Sequence, residues 1–312
     1  MRVLLIKPSS FGDVIHALPI ATALARHPGV EAVDWVINRE YASLLKNNPY
    51  VRKVIVFPRK EWGIGTLRNF LSQLREDFYE WVIDLQGLLR SGLIAAAARG
   101  YRKIGMSDCR EGAGFFYQEK APITSGHAIA RYRQVLNFLG VACDTLEFPL
   151  PKGTETMKNV PESFVLVHPF SRWPTKVLPK DLVSSLARRL APQKLVVVGQ
   201  GEPFHIAETL DLTNQTNFEQ LLDLMRRAQA VISSDSGPMH VAAALGKPLI
   251  ALFGPTSPEK TGPWTTNSRV LQLDLSCIPC FSRNCQIAET QACLRRITVE
   301  NVLQALGDVV SG

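Results

Sequence analysis

A chain of 312 residues exceeds one ordinary hydrophobic core and suits two domains of roughly 150 residues each. Its 46% apolar and 20% charged content excludes a disordered or collagen-like chain. The formal net charge of +7 favours an acidic partner without naming it. No recognition-helix, zinc-finger or RNP-type pattern accompanies that charge, so nucleic acid is not expected as the partner.

Strand-like and helix-like runs alternate along the chain, which predicts an α/β fold of parallel sheets joined by crossover helices. In the first half the periodicity predicts strands over 3–7, 32–37, 53–57, 80–84 and 103–105, and helices over 14–26, 67–77, 88–98 and 128–139. The first strand leads into Lys7-Pro8-Ser9-Ser10-Phe11-Gly12-Asp13, a strand-loop-helix crevice. Ligands of open α/β sheets bind at the carboxyl ends of strands, so Asp13 is a candidate general base; an N-cap role explains it equally well. With Gly12 as its one glycine, the loop is neither a dinucleotide nor a P-loop fingerprint. Basic residues recur in this half, including Arg59, Lys60, Arg68, Arg99, Arg102, Lys103 and Arg110, with Trp62, Tyr101 and Phe115 among them. They read either as a surface for acidic groups or as an ordinary solvated face.

The rhythm is lost over 141–161, where Pro149, Pro151, Gly153 and Pro161 predict a linker between domains 1–150 and 151–312. It then restarts, with strands over 164–168, 194–198, 230–232 and 249–253 and helices over 179–190, 203–210, 218–228, 238–245 and 298–306. After the first of these strands comes Ser171-Arg172-Trp173-Pro174-Thr175-Lys176, in which Lys176 is either an anion ligand or a surface lysine. The next strand ends in Gly199-Gln200-Gly201-Glu202, where Glu202 suits a ribose hydroxyl or, equally, the cap of helix 203–210.

The stretch Ser233-Ser234-Asp235-Ser236-Gly237-Pro238-Met239-His240 is the most informative. It joins a β-rich run to a helical one, and the N–H groups opening such a helix form an anion site at the positive end of its dipole. Gly237 admits close approach of a phosphate. Capping by Asp235 or Ser236, with Pro238 in the first turn, explains the same residues structurally. Near the end, Cys277, Cys280, Cys285 and Cys293 form C-x2-C-x4-C-x7-C. In a reducing compartment such a cluster suits structural zinc or iron, or free thiols in a compact loop.

Three segments together resemble glycosyltransferase family 9, the ADP-heptose:lipopolysaccharide heptosyltransferases: Lys7 to Val14 with Leu18-Pro19, Ser171 to Lys176, and Asp235 to His240 with Phe253-Gly254-Pro255-Thr256. The resemblance covers nearly the whole chain. It implies a GT-B architecture, two Rossmann-like domains facing a central cleft, the first for the acceptor and the second for the donor; the last helix is a candidate to pack back toward the first domain. It further implies inverting transfer of heptose from ADP-heptose to an acidic lipopolysaccharide inner-core acceptor, with Asp13 as the base. Ser10, Gly12, Lys176, Glu202, Asp235, Ser236, Gly237 and His240 are the expected donor-binding residues. Lys176 and the helix start at Ser236-Gly237 would replace a catalytic metal at the diphosphate.

Two departures from the family pattern bear on the donor site: Ser236 stands where many relatives have threonine, and Val177-Leu178-Pro179 where many have a tryptophan before the proline. No apolar run reaches the length of a membrane span or a signal core, so a cytoplasmic location is expected, with peripheral, electrostatic attachment to the inner face of the inner membrane. The competing readings are a nucleotide-sugar isomerase of the UDP-GlcNAc 2-epimerase kind and a non-catalytic sugar-nucleotide-binding protein.

Overall fold

Buried parallel strands need continuous apolar runs, because helices cover both faces of their sheet, and such runs nucleate both halves of the chain. The computed structural model describes residues 1–61, 63–124, 126–153 and 157–310. Trp62 and residues 154–156 of the expected linker lie outside them. Two compact units result, Met1–Pro151 and Lys152–Gly312.

The first unit runs β1 (Arg2–Ile6), α1 (Phe11–Arg26), β2 (Ala32–Asn38), β3 (Lys53–Phe57), α2 (Ile64–Leu74), β4 (Tyr79–Asp84), α3 (Leu89–Ala97), β5 (Gly100–Met106), β6 (Glu119–Ala121) and α4 (Ala128–Phe138). Short 3-10 turns occupy Arg39–Leu45 and Ala113–Phe116. The sheet order is β3-β2-β1-β4-β5-β6, and each neighbouring pair is parallel. On one face, Leu4, Ile6, Val36, Ile55 and Val82 pack with Phe70 and Leu74 of α2 and Ile94 and Ala95 of α3.

The second unit runs β7 (Phe164–His168), α5 (Lys180–Leu190), β8 (Lys194–Val197), β9 (Thr209–Asp211), α6 (Phe218–Arg227), β10 (Ala230–Ser234), α7 (Gly237–Ala244), β11 (Leu249–Leu252), α8 (Pro258–Thr261), β12 (Ser268–Leu271), α9 (Ala292–Arg295) and α10 (Val299–Val310). Its order, β12-β11-β10-β7-β8-β9, again all parallel, repeats the pattern of the first sheet with its own strands. Val302, Ala305, Leu306 and Val309 of α10 lie in this unit's core with Val183, Leu186, Ile250 and Leu252. No helix among the described residues is long and apolar enough to cross a membrane.

The expected helix over 203–210 is absent: the backbone there is irregular and then enters β9. His205 and Glu208 take positive φ of 48° and 64°. The N–H groups of Phe204 and His205 donate to Asp211 Oδ2 at 3.1 and 3.2 Å, so a side chain replaces the helical ladder. Helix α1 begins three residues earlier than its apolar periodicity predicts, at Phe11, because Ser10 and not Asp13 occupies the N-cap position. Both strand orders reverse direction once, between β1 and β4 and between β7 and β10, and open α/β sheets bind ligands at such switch points.

Candidate functional site

At the first switch point the loops after β1 and β4 are tied to each other. Ser9 N donates to Gln86 Oε1 at 3.3 Å, and Lys7 Nζ donates to Leu85 O at 3.2 Å. Asp84, the last residue of β4, is fully buried and accepts from Gln86 N at 2.7 Å, Gly87 N at 3.2 Å and Tyr117 Oη at 2.6 Å. Burial pushes its carboxyl above the ordinary range against these bonds. Asp13 is the third residue of α1, and its Oδ2 accepts from Ser10 N at 3.0 Å and Ser10 Oγ at 2.7 Å. That is a capping-box geometry, so the carboxylate completes the helix start from inside the first turn. Gly12 precedes it in the same turn.

Lys7 is the residue that sequence reasoning passed over, although a lysine closing a wholly apolar strand is a readable signal. It is buried, with Nζ 5.3 Å from the centre of the Tyr132 ring. Burial by itself lowers its pKa, but attraction to Tyr132, Asp13 and Asp84 outweighs that, and Lys7 titrates above an ordinary lysine. The first crevice therefore holds a permanent positive charge facing Asp13.

In the second unit, parallel pairing of β7, β10 and β11 brings three distant loops to one edge. Lys176, on the 3-10 turn Pro174–Lys176, donates from Nζ to Asp235 Oδ2 at 2.6 Å. The Thr256 hydroxyl donates to the same oxygen. The Asp235 side chain is 6% exposed and that of Lys176 14%, so the pair is largely desolvated. Lys176 and Asp235, read from the sequence as separate contacts to phosphate and sugar, are thus one ion pair. An ammonium has three N–H donors, which leaves Lys176 capacity for an anion while Asp235 holds one.

Lys176 Nζ also lies 4.6 Å from the centre of the Trp173 ring, and Arg283 Cζ lies 5.3 Å from it. Two cations therefore share one indole, which gathers positive charge beside the pair. Arg283, Trp173 and Thr256 are further site residues that no spacing signal assigns; Trp173 and Thr256 stood in quoted motifs without a role.

Ser236 is the N-cap residue of α7 by position, but its hydroxyl does not cap. It donates to Ser234 O at 3.2 Å and meets His168 Nδ1 at 3.2 Å, a set satisfied when Nδ1 carries the ring proton. His168, the last residue of β7, is buried, and burial pushes its imidazole down to about 4, so the ring is neutral at neutral pH. Gly237 opens the helix, Pro238 follows in its first turn, and His240 is buried one turn on. Pro238 has no N–H and Met239 N donates to Ser236 O at 3.2 Å, so the helix start presents the Gly237 N–H, beside the Lys176 cation.

The turn after β8 presses on this site. Gly199 has φ +128°, and a Cβ there would stand 2.8 Å from His168 Nε2 and 2.7 Å from Phe170 Cδ2. Glu202 follows on the exposed side of that turn. It caps no helix, since 203–210 is not helical, and among the described residues its side chain makes no hydrogen bond or ion pair. The structure therefore gathers Lys176, Asp235, Ser236, Gly237 and His240 on one edge of the second unit and leaves Glu202 at its margin, while Ser10, Gly12 and Asp13 belong to the first unit.

Cys277, Cys280 and Cys285 occupy a loop that braces the Lys176 turn, and Cys293 lies in α9. Thr175 Oγ1 donates to Ser282 O at 2.8 Å, and Gln291 Nε2 donates to Pro174 O at 2.6 Å. All four thiols are free. Burial, and then the neighbouring Cys285, Cys277 and Cys280, raise the Cys293 thiol, whereas backbone N–H groups of Gln291 and Ile287 lower Cys285. Among the described residues no three histidine, cysteine or carboxylate side chains are grouped so as to hold a metal ion.

Two doubly wound units, one with a cationic helix-terminus site at its switch point, define a GT-B type transferase. Residues 67–291 match the model of glycosyltransferase family 9 (heptosyltransferase), and the chain belongs to that family. It is 31% identical to lipopolysaccharide heptosyltransferase 1 of Pseudomonas aeruginosa, over 93% of this chain and 89% of that protein. The same enzyme of Escherichia coli K12 is 30% identical over 86% of this chain and 93% of its own length. The solved structure of E. coli heptosyltransferase WaaC with ADP superposes with a TM-score of 0.81 at 26% identity, covering 99% of this chain and all of that one. These relatives are transferases, and the epimerase alternative is not favoured.

Proposed function

We propose that this enzyme transfers a heptose from ADP-heptose to the inner core of lipopolysaccharide with inversion at the anomeric carbon. The observation that carries the donor half is the Lys176–Asp235 pair beside the uncapped start of α7. A diphosphate there receives Lys176 and the Gly237 N–H, donors for charge that grows as the leaving group departs. In the reaction the bond from the anomeric carbon to the diphosphate breaks, ADP leaves, and the acceptor oxygen bonds to that carbon. Asp13 takes the acceptor proton, supported by its part-exposed carboxylate at the start of α1. Its bond from Ser10 Oγ orients the carboxylate.

By the family resemblance Ser10 and Gly12 are assigned to donor binding, and Glu202 to a ribose hydroxyl. The acceptor is anionic and lipid-borne, which suits the basic chain and peripheral attachment at the cytoplasmic face of the inner membrane. The cysteines brace the Lys176 turn and take no part in bond making. Metal analysis of protein purified without chelator or nickel decides its nature: stoichiometric zinc or iron assigns the four thiols as ligands, and none assigns the brace to the Thr175 and Gln291 hydrogen bonds alone.

The test is Asp13→Asn assayed with ADP-heptose. Loss of a positioned base lowers kcat by about 100-fold or more while ADP binding is kept. Transfer at the wild-type rate removes Asp13 from the chemistry.

A further inference from the structure

Helices α2 and α3 cover one face of the first sheet, and each buries one stripe while leaving a second apolar stripe in solvent. In α2, Phe70 and Leu74 enter the core, but Ile64 is 91% exposed and Leu67 is exposed beside it. Ile64, Leu67, Arg68, Leu71, Ser72, Arg75 and Glu76 line one open concavity along the outside of the helix. In α3, Ile94 and Ala95 enter the same core, while Leu89 and Leu93, one turn apart, are exposed.

The 3-10 turn that packs on α3 adds Phe115, 92% exposed. A Cβ at Gly92 would come within 2.8 Å of Phe116 Cδ2, so helix and turn are in close contact. The C-terminal ends of α2 and α3 meet where Arg99 Nη1 donates to Arg75 O at 3.4 Å. The protruding residues thus belong to one continuous layer of the unit.

Charge on this layer is predominantly positive. Among the described residues, Arg68, Arg75, Arg90 and Arg99 form no ion pair, the acidic Glu61 and Glu76 are paired with Arg39 and Lys53, and Glu111, which accepts from Leu89 N at 3.3 Å, is an acid outside any ion pair. A surface that exposes large apolar side chains ringed by free arginines matches an anionic bilayer: the apolar groups enter the headgroup boundary and the guanidiniums meet lipid phosphates. An acidic protein partner would use the same groups, and absence of vesicle binding is the outcome that would point to one.

We infer that the outer layer formed by α2, α3 and the Ala113–Phe116 turn is the face by which this enzyme docks on anionic phospholipid bilayers. The inference deepens the proposed transfer to a lipid-borne acceptor and rests on that reading for its purpose, though not for its test. Co-sedimentation of the full chain uses phosphatidylcholine vesicles with and without about 30 mol% phosphatidylglycerol. Binding is expected to the anionic vesicles only. Ile64→Asp with Leu93→Asp, and separately Arg68→Glu with Arg75→Glu, should each lower the partition coefficient at least about tenfold. Arg188→Glu on α5 has the same sign of charge change as one of these and should leave binding as in wild type.

Circular dichroism and ADP titration show whether each variant is folded. Absence of wild-type binding, or loss in the charge variant with none in the apolar one, overturns the inference; the second result reduces the face to an anion-binding patch. Transfer to a soluble, deacylated acceptor separates the two readings. Unchanged transfer in variants that no longer bind vesicles supports docking, and vesicle binding by a chain that transfers nothing sinks the transferase reading alone.

Discussion

Replacing Lys176 by methionine removes the charge that faces Asp235 while keeping the length of the side chain. Asp235 is then a carboxylate with its side chain 6% exposed and the Thr256 hydroxyl as its remaining side-chain donor. Breaking a buried pair from one side costs about 3–5 kcal/mol, because the remaining charge stays desolvated. Thr256 offsets part of that, and Lys176 itself is 14% exposed, so the low end, about 3 kcal/mol, applies. For a unit of about 160 residues, where each kcal/mol moves the midpoint about 2–4 °C, the second unit should melt about 6–12 °C lower. Asp235→Asn costs less, about 1–2 kcal/mol, because the freed ammonium can turn toward water. The double variant Lys176→Met, Asp235→Asn should be more stable than the sum of the singles by about 2 kcal/mol, since no unpaired charge remains. Thermal unfolding followed by circular dichroism measures all three. A shift below about 2 °C for Lys176→Met, or additive singles, would refute the claim that the pair is desolvated and coupled.

Acid stability tests His168. Its folded pKa, about 4, lies below the ordinary 6.5, so the unfolded chain takes up the proton first. Stability of the second unit is therefore full above about pH 6.5 and is lost as pH falls toward about 4, and His168→Gln should flatten that slope in urea midpoints. A wild-type slope identical to that of the variant would show that the ring is not held neutral. Gly199→Ala puts a methyl group at φ +128° against His168 and Phe170. It should destabilise the second unit by about 2 kcal/mol or more and weaken ADP binding in calorimetry, as the glycine turn is pushed off the His168–Ser236 contact. A variant as stable as wild type would mean that the turn yields freely.

Where a local pattern had only to report burial, the sequence was sufficient. Val3 to Ile6, Phe164 to Val167 and Ala230 to Ile232 are wholly buried in parallel strands, and a strand covered on both faces must be apolar without interruption. Three of the four edge strands do not carry that mark, whereas the apolar edge strand β3 does. Glu119–Ala121, Thr209–Asp211 and Ser268–Leu271 are short and part-exposed, so they escaped detection. The helix expected over 203–210 failed because Asp211, next to it in sequence, captures the N–H groups of Phe204 and His205.

The site divides along the same line. Ser10, Asp13, Ser236 and Gly237 lie at junctions between a strand and a helix, and such junctions are local enough to read from residue types alone. The pairing of Lys176 with Asp235, the hydroxyl of Thr256 on the same oxygen, and Arg283 against Trp173 join residues far apart in the chain. Those contacts follow from the parallel register that sets β7 beside β10 and β10 beside β11 and so brings their carboxyl ends to one edge. No local preference encodes which loops meet there; the sheet order decides it, through long-range packing of strands whose own sequences are nearly interchangeable.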